Sequence, residues 1–133
     1  MATRKVRILM ARFGAGYEQA LPKLTRAFSE AGFEVIYLDL DDPEAIVTAA
    51  LQESVDHIGI TALPGARVEQ FADVLERLKR HGIEEVAITA GGFMDPDSVE
   101  RIKELGVRQF FPRETTYDQL IQWARANIRS LAA

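Results

Sequence analysis

Four sets of residues in this 133-residue chain have types and spacings that chemistry can use. Gly14-Ala15-Gly16 stands 23 residues before Asp39. Glycines near a pyrophosphate with an acid on a ribose is the arrangement of a dinucleotide site. Here Gln19 occupies the place of the third glycine, and the favoured reading is a flexible loop with glycines at turn positions. Asp39, Asp41 and Asp42 form an acidic group of the kind that gathers a hard cation. The position of Asp41 and Asp42 just before Pro43 reads more simply as a helix cap. Gly91-Gly92 permits close approach of a ligand or another chain, or else a tight turn before Asp95-Pro96. His57 and His81 have no carboxylate at ligand or triad spacing, so both read as structural, His81 suiting the negative end of a helix. No catalytic residue or metal ligand set emerges.

Composition removes whole classes of function. There is no cysteine, hence no disulfide, thiolate metal site, iron–sulfur cluster or cysteine nucleophile. Sixteen Lys and Arg stand against 20 Asp and Glu, a net charge of -4, which argues against a nucleic-acid partner. No apolar run has the length of a membrane span or a secretory signal, and the cytoplasm is the expected compartment. Hydrophobic residues at 47% and charged residues at 27% describe a folded chain, read as one unit over residues 1–133.

The elements that must position these residues alternate. Strands are expected at Val6–Ala11, Glu34–Leu40, His57–Thr61, Glu85–Ala90 and Val107–Phe111. Helices are expected over Leu21–Ala31, from Pro43 to about Glu53, and around the face Val68, Phe71, Ala72, Leu75 and Leu78. A fourth starts at a capping box on Asp97 and ends at Leu105-Gly106. A fifth starts at Thr116 and buries Leu120, Ala124, Ile128 and Leu131. Strands joined by helices pair in parallel with helices on both faces. The expectation is an α/β, flavodoxin-like (Rossmann-like), doubly wound five-stranded parallel sheet, whose ligands bind beyond the carboxyl ends of the strands. A phosphorelay receiver shares this fold, but the first and third strands end at Ala11-Arg12 and Thr61-Ala62, without the acids that hold its magnesium ion.

Over nearly its whole length, from about Arg4 to Arg129, the chain resembles the cobalamin-binding domain or small subunit of acyl-CoA mutases, methylmalonyl-CoA mutase especially. The resemblance is carried by Arg7–Ala11, Ala27–Val35, Gly59-Ile60-Thr61-Ala62-Leu63, Ala90-Gly91-Gly92 and Leu105-Gly106-Val107. In that family the loop after the first strand carries Asp-x-His-x-x-Gly, whose histidine ligates cobalt and whose aspartate tunes it. This chain has Ala15, Tyr17 and Ala20 at those three places. A phenol, protonated at neutral pH, is a poor metal ligand. The resemblance further implies that Thr61 and Leu63 line the pocket for the cofactor's nucleotide tail and that Gly91-Gly92 let the tail pass. Gly16, Phe93 and Thr115 are implied as neighbours of the cofactor. Arg113 and Glu114 stand where the family has small residues, either blocking the tail or facing solvent.

Two functions follow. In one, the chain binds cobalamin without a protein histidine, with the cofactor's own base on cobalt or the lower face left open, as a carrier or as the small subunit beside a mutase catalytic subunit. In the other, it has lost cobalamin and serves a structural, regulatory or partner-binding role, with Phe13, Tyr17, Phe93 and Met94 packing into or over the vacated cleft. A separate enzyme using Tyr17, Glu18 and Glu114 is the weakest reading. A homo-oligomer is a further expected assembly, and no membrane partner is expected. With no room for a substrate barrel, the chain is not expected to catalyse alone.

Overall fold

The computed structural model describes residues 5–131. Five parallel strands, β1 (Arg7–Phe13), β2 (Glu34–Tyr37), β3 (His57–Ala62), β4 (Ala87–Gly92) and β5 (Gln109–Pro112), form one sheet in the order β2-β1-β3-β4-β5. Between and after them run α1 (Ala20–Glu30), α2 (Pro43–Glu53), α3 (Val68–Arg80), α4 (Pro96–Leu105) and α5 (Tyr117–Asn127). This is the flavodoxin-like, doubly wound arrangement, with β1 and β3 flanking the switch in strand order.

Strand alternation divides the interior in two. Leu9, Ala11, Phe13, Ile58, Ile60, Ala62, Ile88 and Phe110 pack with residues of α2, α3 and α4 into the larger core. Ile8 and Met10 point the other way and join Leu21, Phe28, Ala124 and Ile128 in a smaller cluster under α1 and α5. The second face is therefore less filled, and the site lies there.

Several boundaries shift from the sequence expectation. β1, β4 and β5 run further toward their carboxyl ends, so Phe13, Gly91, Gly92 and Pro112 lie in the sheet rather than in loops. Strand pairing persists there: Thr61 is opposite Gly91 and Ala62 opposite Gly92. β2 stops at Tyr37, and Leu40 is exposed. α4 is capped two residues earlier than expected: Asp95, not Asp97, accepts from the Ser98 backbone N–H at 3.0 Å and from its hydroxyl at 2.7 Å. Those bonds hold the Asp95 carboxyl below its usual range. Pro96 takes the first helical turn, where its missing N–H costs nothing. The Thr116 cap of α5 forms as expected. Leu131 lies beyond the end of α5 and is exposed, contrary to the expectation that it packs inside. Its backbone N–H instead donates to buried Asp56 at 2.8 Å.

Candidate functional site

β3 reads His-Ile-Gly-Ile-Thr-Ala. Ile58, Ile60 and Ala62 serve the larger core, so His57, Gly59 and Thr61 face α1 and α5. β4 repeats the pattern with Thr89 and Gly91. Where a filled α/β core would place large aliphatic side chains, this face carries glycine and polar groups. A Cβ built on Gly59 meets nothing within 4 Å. The space left is a cavity of about 190 Å³ between the sheet and the two helices. Its walls are Ile8 and Met10 of β1, Leu24 and Phe28 of α1, Phe111 of β5, and Leu120 and Trp123 of α5. From Thr61 to His57 it follows four residue steps of β3, roughly 13 Å at the strand rise.

Gly91, Gly92, Pro112, Arg113, Thr115 and Tyr117 complete its lining near the carboxyl edge. The glycines are required by packing. A Cβ on Gly91 would sit 2.9 Å from the Phe111 carbonyl oxygen, and one on Gly92 would sit 2.4 Å from that of Ala62. Gly92 also has φ +118, a region other residues avoid. Beside this edge three loops are tied together by stacking. The Tyr17 and Phe93 rings lie 4.7 Å apart, and the Arg113 guanidinium lies 4.0 Å over the Phe93 ring. Tyr17 holds a left-handed backbone at φ 48, which costs a bulky residue about 1–3 kcal/mol and persists only where neighbours fix it.

At the far end His57 is buried, with Nε2 2.9 Å from Thr89 Oγ1. Burial, with the nearby Arg108 charge second, lowers its pKa to about 4. The histidine is therefore neutral when folded, while its unfolded counterpart takes up a proton below about 6.5. The stabilisation is complete above that value and is lost as pH falls toward 4. Between pH 7 and 4.5 this one group is expected to remove about 2 kcal/mol of stability. Urea unfolding at the two pH values checks it: His57→Gln should lose less stability than the wild type over the same interval, and equal losses would contradict the assignment.

The structure brings Thr61, Gly91, Gly92 and Thr115 together around the cavity. Tyr17 and Phe93 meet in the stack, outside the cavity lining, and Gly16 lies exposed in the loop before them. Leu63 is buried and does not line the cavity; its carbonyl oxygen abuts Gly14, where a Cβ would lie 2.4 Å away. Phe13 does not approach the cavity either, because it packs edge-on against Phe71, 5.0 Å away, in the opposite core. Arg113 lines the cavity and lies along Phe93, and both Arg113 and Glu114 are exposed. Asp39 accepts from Arg12 at 2.8 Å and raises its pKa, Asp41 lies 3.9 Å from the same guanidinium, and Asp42 caps α2. Among the described residues no three acids or histidines are grouped to hold a metal. Sequence reasoning missed His57, Gly59, Thr89 and Trp123 as cavity residues. The available signal was the alternation in β3, where every second residue is not a large apolar one.

A model of the B12 binding domain matches residues 8–121. The chain belongs to the B12-binding domain family. Within it, the chain is 33% identical over 130 residues to the small subunit of 2-hydroxyisobutanoyl-CoA mutase from Aquincola tertiaricarbonis, covering 96% of this chain and 93% of that one. It is 32% identical over 102 residues to a fused isobutyryl-CoA mutase from Cupriavidus metallidurans and 28% identical over 110 residues to methylmalonyl-CoA mutase from Escherichia coli. Those alignments cover 74% and 81% of this chain but only 9% and 15% of the relatives. Among solved structures, a cobalamin-binding protein from Desulfitobacterium hafniense superposes with a TM-score of 0.76 at 16% identity, over 92% of this chain and 59% of that one. A receiver domain from Mycobacterium tuberculosis superposes at 0.71 with 15% identity, over 93% of this chain and 96% of that one, a likeness of fold alone. No described helix is long and apolar enough to cross a membrane.

Proposed function

We propose that this chain, acting as one unit, binds cobalamin with the nucleotide tail inserted between the sheet and α1 and α5, without a protein histidine on cobalt. We propose further that it serves as the small subunit beside a separate catalytic subunit of the acyl-CoA mutase type. The open cavity in front of Gly59 carries the reading. A cavity of about 150 Å³ accepts a benzene ring, so about 190 Å³ with apolar walls suits the aromatic base of the tail. Gly91 and Gly92 keep the backbone bare near the entrance, and Thr61 and Thr115 offer hydroxyls there. The residues present fit the tail and do not fit the family's cobalt ligation, since Tyr17 is 55% exposed and turned onto Phe93. On this reading the protein would supply no ligand to the lower face of cobalt.

When bound, cobalamin supplies the radical chemistry. This chain's residues bind the tail, exclude water from it and orient the remainder at the carboxyl edge of the sheet. The likeness over nearly full length to a mutase small subunit supports the partner assignment. The loss-of-cofactor alternative places Phe13, Tyr17, Phe93 and Met94 in or over the cleft; the cavity left open, with Phe13 in the opposite core, favours binding instead. The test is to mix the purified chain with hydroxocobalamin, desalt, and record the visible spectrum. Stoichiometric colour with the spectrum of cobalamin whose own base is off cobalt is expected. A colourless protein would refute binding, and retained colour with the base still on cobalt would refute tail insertion.

A further inference from the structure

The deep end of the cavity is chemically unlike its walls. Ile8 pairs with His57 across the sheet and the Trp123 ring lies 6.4 Å from the His57 ring, both apolar surfaces. His57 and Thr89, 2% and 8% exposed, are the buried polar pair among them. Opposing strands place them side by side: His57 starts β3, and Thr89 sits on β4 opposite Gly59, one step from it along the cavity face. The pair uses one ring nitrogen and the hydroxyl on each other. Nδ1 makes no hydrogen bond to a described residue. A polar atom without a partner beside a cavity is a recognition point for whatever enters, because covering it with an apolar group is costly. Burial keeps the ring neutral. In one tautomer the Thr89 hydroxyl donates to Nε2 and Nδ1–H is left to donate; in the other, Nε2–H donates to Thr89 and Nδ1 is left to accept.

We infer that His57, oriented by Thr89, is a specificity-determining residue that selects a tail base bearing a hydroxyl on its outer edge over one bearing only methyl groups there. This rests on the proposed insertion of the tail. A hydroxyl both donates and accepts, so it satisfies Nδ1 in either tautomer, whereas a methyl group leaves Nδ1 unpaired and dry.

The test compares two cobamides that differ only in the base, 5-hydroxybenzimidazole and 5,6-dimethylbenzimidazole, titrated against the wild type by visible absorbance. About tenfold tighter binding of the hydroxylated form is expected, the size of one buried hydrogen bond. The paired variant His57→Leu with Thr89→Val should bring the ratio of the two affinities to about one. In the wild type, the His57 ring nitrogen NMR signals should shift with the hydroxylated cobamide and much less with the dimethyl one, a readout that stands even if the paired variant does not fold. Equal affinities in the wild type, or a preference that survives the paired substitution, would overturn the inference alone. Binding of neither cobamide would overturn it together with the tail-insertion reading.

Discussion

Gly59→Leu is expected to abolish retention of cobalamin while leaving a folded protein at least as stable as the wild type. The reasoning separates occlusion from damage. Gly59 has no left-handed backbone requirement, and a Cβ there meets nothing within 4 Å. A leucine enters the space the tail would occupy, flanked by the apolar residues Met10, Leu24 and Phe28. Relative to glycine it gains roughly 1.5–3 kcal/mol from burial and removes the entropic penalty of glycine in a strand, about 0.5–1 kcal/mol, against a smaller cost of tight packing. The expected loss of cobalamin affinity is at least a hundredfold, about 2.7 kcal/mol. Equilibrium titration with cobalamin alongside thermal unfolding by circular dichroism checks both halves. Unimpaired binding by a folded variant would mean the tail does not enter this cavity.

The second large effect is a gain. Tyr17→His combined with Ala15→Asp is expected to tighten cobalamin binding by about tenfold to a hundredfold and to place a nitrogen on cobalt, the range by which partners of metal-bound histidines alter affinity. Position 17 has φ 48, and histidine adopts the left-handed region more readily than tyrosine. Ala15 is exposed and held by its backbone N–H on the Pro64 carbonyl at 3.0 Å, so an aspartate side chain displaces no packed atom. The substitution also removes the ring stacked on Phe93, which frees that edge of the entrance. Nitrogen coupling on the cobalt(II) electron paramagnetic resonance signal is the direct readout. A tighter complex without that coupling, or no change in either, would show that the loop after β1 does not bring position 17 beneath cobalt.

The fold was readable because parallel strands buried on both faces leave apolar runs bounded by capped helices; the Thr116 cap sits where the residues indicated, and of the Asp41-Asp42 pair Asp42 is the cap while Asp41 lies by Arg12. The strand ends were less readable. Gly91, Gly92 and Pro112 look like punctuation, yet neighbouring strands hold them in register. The site was harder still, since a cavity is made by what side chains omit. Thr61 was found through resemblance, while the glycine pair already stood out in the residues themselves. His57 was set aside as structural because its partner, Thr89, is 32 residues away and visible only once β3 and β4 are paired. Leu63 was named as a wall through the resemblance, and alternation continued past Ala62 would have kept it on that face; β3 ends at Ala62, and Leu63 is buried away from the cavity.

The length of the cavity along β3 also bears on time. An occupant reaching His57 must be withdrawn past Gly59 and Thr61, between two helices and beside three loops clasped by the Tyr17–Phe93–Arg113 stack. Entry and escape through such a passage are slow compared with diffusional encounter, and differences among variants should show chiefly in residence time. On the proposed function, a cofactor seated this way would remain attached through many turnovers of a partner, and the chain would act as a durable holder, charged once and used repeatedly.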